Sequence, residues 1–164
     1  MSRLWLLCVL LMSALANAQS PYAGEQEREI KSLSGKEIVA LRSGAGMGLA
    51  KAAELNGYPG PKHVLELADE LGLSDEQREN TKALFAEVKA NAAQLGEKVI
   101  AAEVRLDRLF TDMTVDAESL ENALQELGEL RARLRYVHLH AHVRQAAILR
   151  PGQIEAYTQL RGYE

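Results

Sequence analysis

An all-α fold is predicted, built on a long antiparallel helical hairpin with short helices before it and a short one after it. Two observations carry this expectation. From Thr81 the apolar or small residues fall at 81, 85, 88, 92, 95, 99, 102, 106 and 109, the alternation of four and three that keeps one edge of a helix against a partner. After the polar stretch 111–116 the pattern restarts at 120, 123, 127, 130, 134, 137, 141, 144 and 148, with only Arg144 out of character. Two helices joined by so short a connection can only lie side by side and antiparallel. Each arm is roughly 50 Å long at the helical rise, more edge than short helices cover, so a second copy of the chain is expected against it as a homodimer.

The first 18 residues read as an export signal and fall outside the fold: Arg3, an apolar run from Leu4 to Leu15, then Ala16-Asn17-Ala18, an A-x-A cleavage pattern. Cleavage is expected after Ala18, with residues 19–33 a flexible lead-in and 34–164 a single helical domain. The chain's one cysteine, Cys8, lies inside that signal, so the exported chain has no disulfide, no thiolate chemistry and no cysteine-based zinc site. A net charge of −4, one unit more negative once Arg3 is removed, argues against nonspecific nucleic-acid binding, which needs a basic surface. No later run of about 20 apolar residues offers a transmembrane anchor.

Ser34 with Glu37 three residues on forms a capping box that starts the first helix. Gly44, Gly46 and Gly48 then interrupt it, each interior glycine costing roughly 1 kcal/mol relative to alanine; a break and a resumption to Asn56-Gly57 are expected. These glycines lack the third glycine of a nucleotide fingerprint and any preceding strand, so they read as a close helix-packing device. Pro61 suits the first position of a short helix running toward Gly72. Ser74 with Gln77 is a second capping box and opens the first arm; Asp112, Thr114 and Asp116 are available to cap the second. The last helix begins at Pro151.

Leu73-Ser74-x-x-Gln77 and Leu149-Arg150-Pro151-Gly152-Gln153 together resemble the paired LTxxQ motifs of the Spy/CpxP family of periplasmic helical proteins, a superfamily that includes periplasmic heavy-metal sensor and resistance proteins. The resemblance covers 60–163, and the order of export signal, short helices, motif, hairpin, motif and final helix agrees with it. Ser74 keeps the capping hydroxyl of the motif threonine; Arg150 loses it, so the second cap relies on Pro151 and Gln153. What the resemblance implies is a curved all-helical dimer in the periplasm and, for one branch, ATP-independent binding of unfolded or stress-sensor proteins. The metal-sensing branch draws ligands from the helix corresponding to the second arm.

No enzyme is expected: no nucleophile elbow, no HExxH and no nucleotide loop is present. For a chaperone-like surface the candidate apolar contacts are Met47, Leu49, Leu55, Tyr58 and Val64 on the N-terminal helices, with Leu84 and Val104 off the seam; apolar residues of this kind more often glue short helices to a core. Charged residues of the arms, Arg105, Arg108, Arg131, Arg133, Arg135 and Lys98 against Glu97, Glu103, Glu126 and Glu129, read as a solvated, internally balanced face. Three of the four histidines lie at 138, 140 and 142. His138 and His142 are one turn apart on one face and form half of a zinc, nickel or copper site; His63, Glu66, Glu70, Glu87 or Met47 would have to supply the rest. Two histidines at that spacing are common on long helices, so the residues alone favour the plainer reading of a polar helix edge. The function expected first is therefore a periplasmic chaperone-like or envelope-stress binding protein needing no cofactor. A metal sensor or resistance protein is the alternative, and a dimeric adaptor for a membrane sensor a third.

Overall fold

The computed structural model describes residues 20–163, so the expected export signal lies outside the described residues. Every regular element among the described residues is helical: a 3₁₀ turn at Glu25–Glu27, then α1 Gly35–Ser43, α2 Lys51–Glu54, α3 Pro61–Glu66, α4 Asp75–Thr111, α5 Ala117–Ile148 and α6 Pro151–Leu160. The two long helices pack along one another as the hairpin. None of the described helices is long and apolar enough to cross a membrane.

The caps form where the side chains call for them. Ser34 Oγ accepts the Glu37 N–H at 3.2 Å while Glu37 Oε2 accepts the Ser34 N–H at 2.8 Å. Ser74 and Gln77 repeat the exchange at 3.2 and 3.1 Å, and Asp116 with Ser119 starts α5. α6 starts without a side-chain acceptor: the Arg150 N–H reaches Gln153 Oε1 at 2.9 Å, but a guanidinium cannot accept the Gln153 N–H. Arg150 has extended backbone angles suited to a cap, so Arg150→Thr is expected to raise the unfolding free energy by about 1 kcal/mol, read from the urea midpoint.

The sequence expectations are corrected in three places. Residues 19–33, expected to be a flexible lead-in, are drawn into the fold from Ile30 on: Ile30 and Leu33 sit in the main core with Leu41, Val99, Ile100 and Leu134. Ser32 Oγ donates to Glu103 Oε2 at 2.6 Å. Two branched side chains that can reach the hairpin outweigh a polar average, because their burial removes apolar surface from water. Glu103, expected on a solvated face, is buried and held by both Ser32 and Arg131, whereas Arg105–Glu126 is a surface pair as expected.

The second correction concerns α3, which stops at Glu66 rather than running toward Gly72. The Ala68 carbonyl turns to the Leu73 N–H and the Arg78 guanidinium, both at 3.1 Å. That turn brings Ala68, Leu71 and Leu73 into one cluster with Tyr157 and Leu149.

The third is the register of the second arm. On α4 the predicted seam positions are all at least partly buried, but on α5 the buried edge passes from Leu134 to His138, Ala141 and Gln145. It has moved one residue beyond the predicted 137 and 144. A straight α-helix drifts by about 20° per heptad from a strict seven-residue repeat, and α2 and α3 cover the side toward which it drifts. Arg144 therefore turns outward onto Glu87, at 2.6 and 3.0 Å. Gln145, wholly buried, donates to Thr81 Oγ1 at 3.1 Å in its place.

Candidate metal pocket

Where α5 drifts under the N-terminal helices, a cavity of about 620 Å³ opens. Its walls are the glycine loop 43–50, α2, the start of α3, Phe85, Val88 and Lys89 of α4, His138, Ala141 and His142 of α5, and Arg161 and Tyr163 behind α6. The loop exists because α1 ends in left-handed Gly44 (φ 66°), where an L side chain is strained. Met47, also at positive φ (43°), lies at the cavity wall and is 42% exposed.

His138 is buried, and its Nε2 has no hydrogen-bond partner. Burial, with a smaller contribution from the His142 charge, holds its pKa below the ordinary imidazole value. The ring is thus neutral at neutral pH, the state in which an imidazole nitrogen can ligate a metal. His142 has its Nδ1 2.7 Å from the Tyr58 carbonyl oxygen. A carbonyl only accepts, so Nδ1 carries the proton and Nε2 is left as the ligating nitrogen; a fixed outer hydrogen bond of this kind is how metal-binding histidines are oriented. Gly60 gives that ring its room, since a Cβ there would stand 2.9 Å from Cε1 and 3.1 Å from Nε2 of His142.

A third group was invisible in the sequence. Glu54, at the end of α2, is mostly buried beside His142, with Oε2 3.6 Å from His142 Nδ1. Oε1 accepts from Tyr157 Oη at 2.6 Å and Tyr163 Oη at 2.9 Å, with Arg161 Nε 3.4 Å away. Oε2, like His138 Nε2, is buried without a partner. Glu54 lies in an unremarkable run, "AKAAELNG", and its partners are 88 or more residues away in the chain, so no local spacing marks it.

The residues singled out from the sequence are divided by the fold. His63 lines the same cavity, but its Nδ1 is paired with Glu66 Oε2 at 2.7 Å, and Glu66 is exposed and not part of the wall. Glu87, offered as a partner for His138, is committed to Arg144 instead, and Glu70 is exposed. His140 faces away and stacks on Tyr136 with centroids 5.1 Å apart. Of the apolar candidates, Met47, Leu55 and Tyr58 are exposed, Leu49 packs against the main core, and Val64 is fully buried. Leu84 is buried with Val88 and Ala141, and Val104 is partly buried against the main core. Val64 and Leu84 are core, because α3 and α4 enclose them.

The profile of a family described as heavy-metal resistance matches residues 38–156. The chain belongs to that family. It lies in the Spy/CpxP-like superfamily, and its matched span contains His138, His142, Glu54 and the whole glycine loop of this chain. No curated protein and no solved structure gives a significant match. For a heavy-metal resistance protein the donor set is suitable in kind: two imidazole nitrogens and a carboxylate oxygen suit zinc, nickel or copper. Among the described residues, however, no three His, Cys, Asp or Glu side chains are near enough to hold one ion as they stand. Closing a site requires side-chain rotation within the cavity.

Proposed function

We propose that the chain is an exported periplasmic metal-binding protein, a sensor or buffer that takes a divalent zinc, nickel or copper ion on His138 and His142 with Glu54, and that it catalyses no reaction. The observation that carries this reading is that two ligand-type atoms, His138 Nε2 and Glu54 Oε2, are buried without partners in the wall of one cavity, where the Arg161 Nε is a third such atom. Buried polar atoms without partners cost about 1–3 kcal/mol each, more when charged, and a cation that both ligand atoms reached after side-chain rotation would relieve them. The ion would act as an electrostatic and coordinating crosslink between α2 and α5. His138 supplies a neutral nitrogen, Tyr58 fixes the His142 tautomer, and the walls limit water. Met47, at the wall, is a further soft donor.

Titration calorimetry with zinc, nickel and copper tests this directly. Micromolar binding of at least one ion is expected, and its loss in His138→Ala/His142→Ala. Heat that is absent for all three ions, or unchanged in the double variant, would overturn the assignment.

A holdase reading retains one specific support: Met47 and Leu55 of the cavity wall are exposed, as is Tyr58, whose carbonyl holds His142, and weak capture of unfolded chains requires such apolar surface. Suppression of client aggregation that is indifferent to chelator and to the histidine variant would favour it. A second copy of the chain, if it binds, has the exposed α5 face of Ala132, Tyr136 and Val143 available.

A further inference from the structure

Resting on the metal-binding reading, we infer that the C-terminal segment is part of the site: Tyr157 and Tyr163 are positioning residues that hold Glu54 so that its free oxygen serves the pocket. Occupancy of the pocket and docking of α6 are then coupled.

The argument starts from how unevenly the Glu54 carboxylate is solvated. All the donors around it that come from the C-terminal segment converge on one oxygen. Tyr157 Oη donates at 2.6 Å and Tyr163 Oη at 2.9 Å to Oε1, and the Arg161 Nε, which makes no hydrogen bond, pairs with the same oxygen by charge at 3.4 Å. Oε2 receives none and is out of contact with water. A clamp that served stability alone would divide these donors between the two oxygens, because each unpaired buried acceptor is a penalty. The arrangement fixes the carboxylate's rotation with one oxygen tied to the C-terminal segment and the other facing the same space as the ligating nitrogen of His142: a Cβ on Gly60 would stand 3.4 Å from Oε2 and 3.1 Å from His142 Nε2.

The clamp is firmly founded. Tyr157 is 1% exposed, packed with Val64, Leu71 and Leu73, and its hydroxyl also accepts the Gly60 N–H at 3.4 Å. Burial first, and then the Glu54 carboxylate, hold its phenol far above its ordinary pKa, so it remains a hydrogen-bond donor at any working pH. Gly60 is the same residue whose missing side chain makes room for His142. The ligand-bearing face of α5, the end of α2 and the C-terminal segment thus meet around two residues, Glu54 and Gly60.

Outer partners of metal ligands typically change affinity by roughly 10–100-fold when removed. Linkage makes the effect reciprocal: the factor by which a docked α6 tightens the ion is the factor by which the ion tightens α6. A bound ion would therefore be reported at the C-terminus, well away from the histidines in sequence.

The test uses cobalt(II) as a spectroscopic probe on the full chain, with hydrogen–deuterium exchange followed over 150–163. In the wild-type protein, cobalt is expected to bind and to slow exchange across α6. In Tyr157→Phe/Tyr163→Phe its affinity is expected to fall roughly 10–100-fold, and the ligand-field spectrum to shift toward that of Glu54→Gln, in which α6 no longer responds to the ion. Tyr163→Phe alone, a change outside the helices, gives the same spectral shift to a lesser degree should the double variant fold poorly. An unaltered spectrum and affinity in the tyrosine variants overturn the inference. If cobalt binding depends on His138 but is the same in Glu54→Gln, the inference falls and the metal-binding reading stands; if wild-type protein binds no cobalt, both fall.

Discussion

Gln153→Ala is expected to destabilise the fold by roughly 3 kcal/mol or more, the largest loss from any single polar residue. Gln153 is buried in the second motif, and its amide nitrogen donates to the Leu71 carbonyl at 3.1 Å, the Gly72 carbonyl at 3.3 Å and Gln77 Oε1 at 3.2 Å. Its oxygen accepts from the Arg150 N–H and from Gln77 Nε2, both at 2.9 Å. Gln77 answers from the first motif, donating to the Ile148 carbonyl at 2.9 Å. Each glutamine opens its own helix and takes up carbonyls that end the segment before the other's helix. Truncating one leaves several buried groups unpaired at about 1–3 kcal/mol apiece. Urea denaturation of Gln77→Ala, Gln153→Ala and the double variant measures this. A coupling of about 0.5–3 kcal/mol between the two is expected, so the double variant should cost clearly less than the sum; strict additivity would show that the two motifs act separately.

That crossed pair explains why the two motifs could be read in the sequence as helix starts but not as one joint. A capping box needs only residues three apart, and both starts were visible at Ser74 and Pro151. The exchange between Gln77 and Gln153 depends on where α6 lands after the hairpin returns, which no local spacing records. The hairpin was legible for the same reason as the caps: a seven-residue repeat over four heptads of α4 is a local periodic signal. It became misleading only where other elements intervened, at His138 and Gln145, because covering helices change which flank of α5 is buried.

The pocket shows the same division. His138 and His142 were visible as a pair one turn apart, and the fold sets both in the wall of one cavity with Val88 of α4. Glu54 was not visible, because its role comes from Tyr157 and Tyr163 at the far end of the chain. Glu66 and Glu87 looked equally eligible as carboxylates. Each found a nearer basic partner, His63 and Arg144, which a one-dimensional reading cannot rank.

Gly96→Ala and Gly128→Ala are expected to move stability in opposite directions although both glycines lie inside the long helices. Helix propensity alone predicts a gain of up to about 1 kcal/mol for either. Gly128 has nothing within 4 Å of where a Cβ would stand, so its replacement should realise about 0.5–1 kcal/mol of that gain, also by restricting the unfolded chain. Gly96 is the point where α1 crosses α4. A Cβ there would overlap the Leu41 carbonyl oxygen and lie 2.7 Å from the carbonyl carbon, and neither is the far end of a flexible side chain that could swing aside. α1 must lift instead, at a cost of about 1–3 kcal/mol for overpacking. Its C-terminus leads through Gly44, itself pressed against the Lys89 carbonyl, into the loop that forms one wall of the pocket, so the displacement is carried to Met47. Gly96→Ala should therefore weaken ion binding in calorimetry although residue 96 is not among the cavity's lining residues, whereas Gly128→Ala should leave it unchanged while raising the urea midpoint. Equal stabilisation by the two substitutions would mean that α1 does not rest on Gly96, and the account of how the glycine loop is held over the histidines would fail with it.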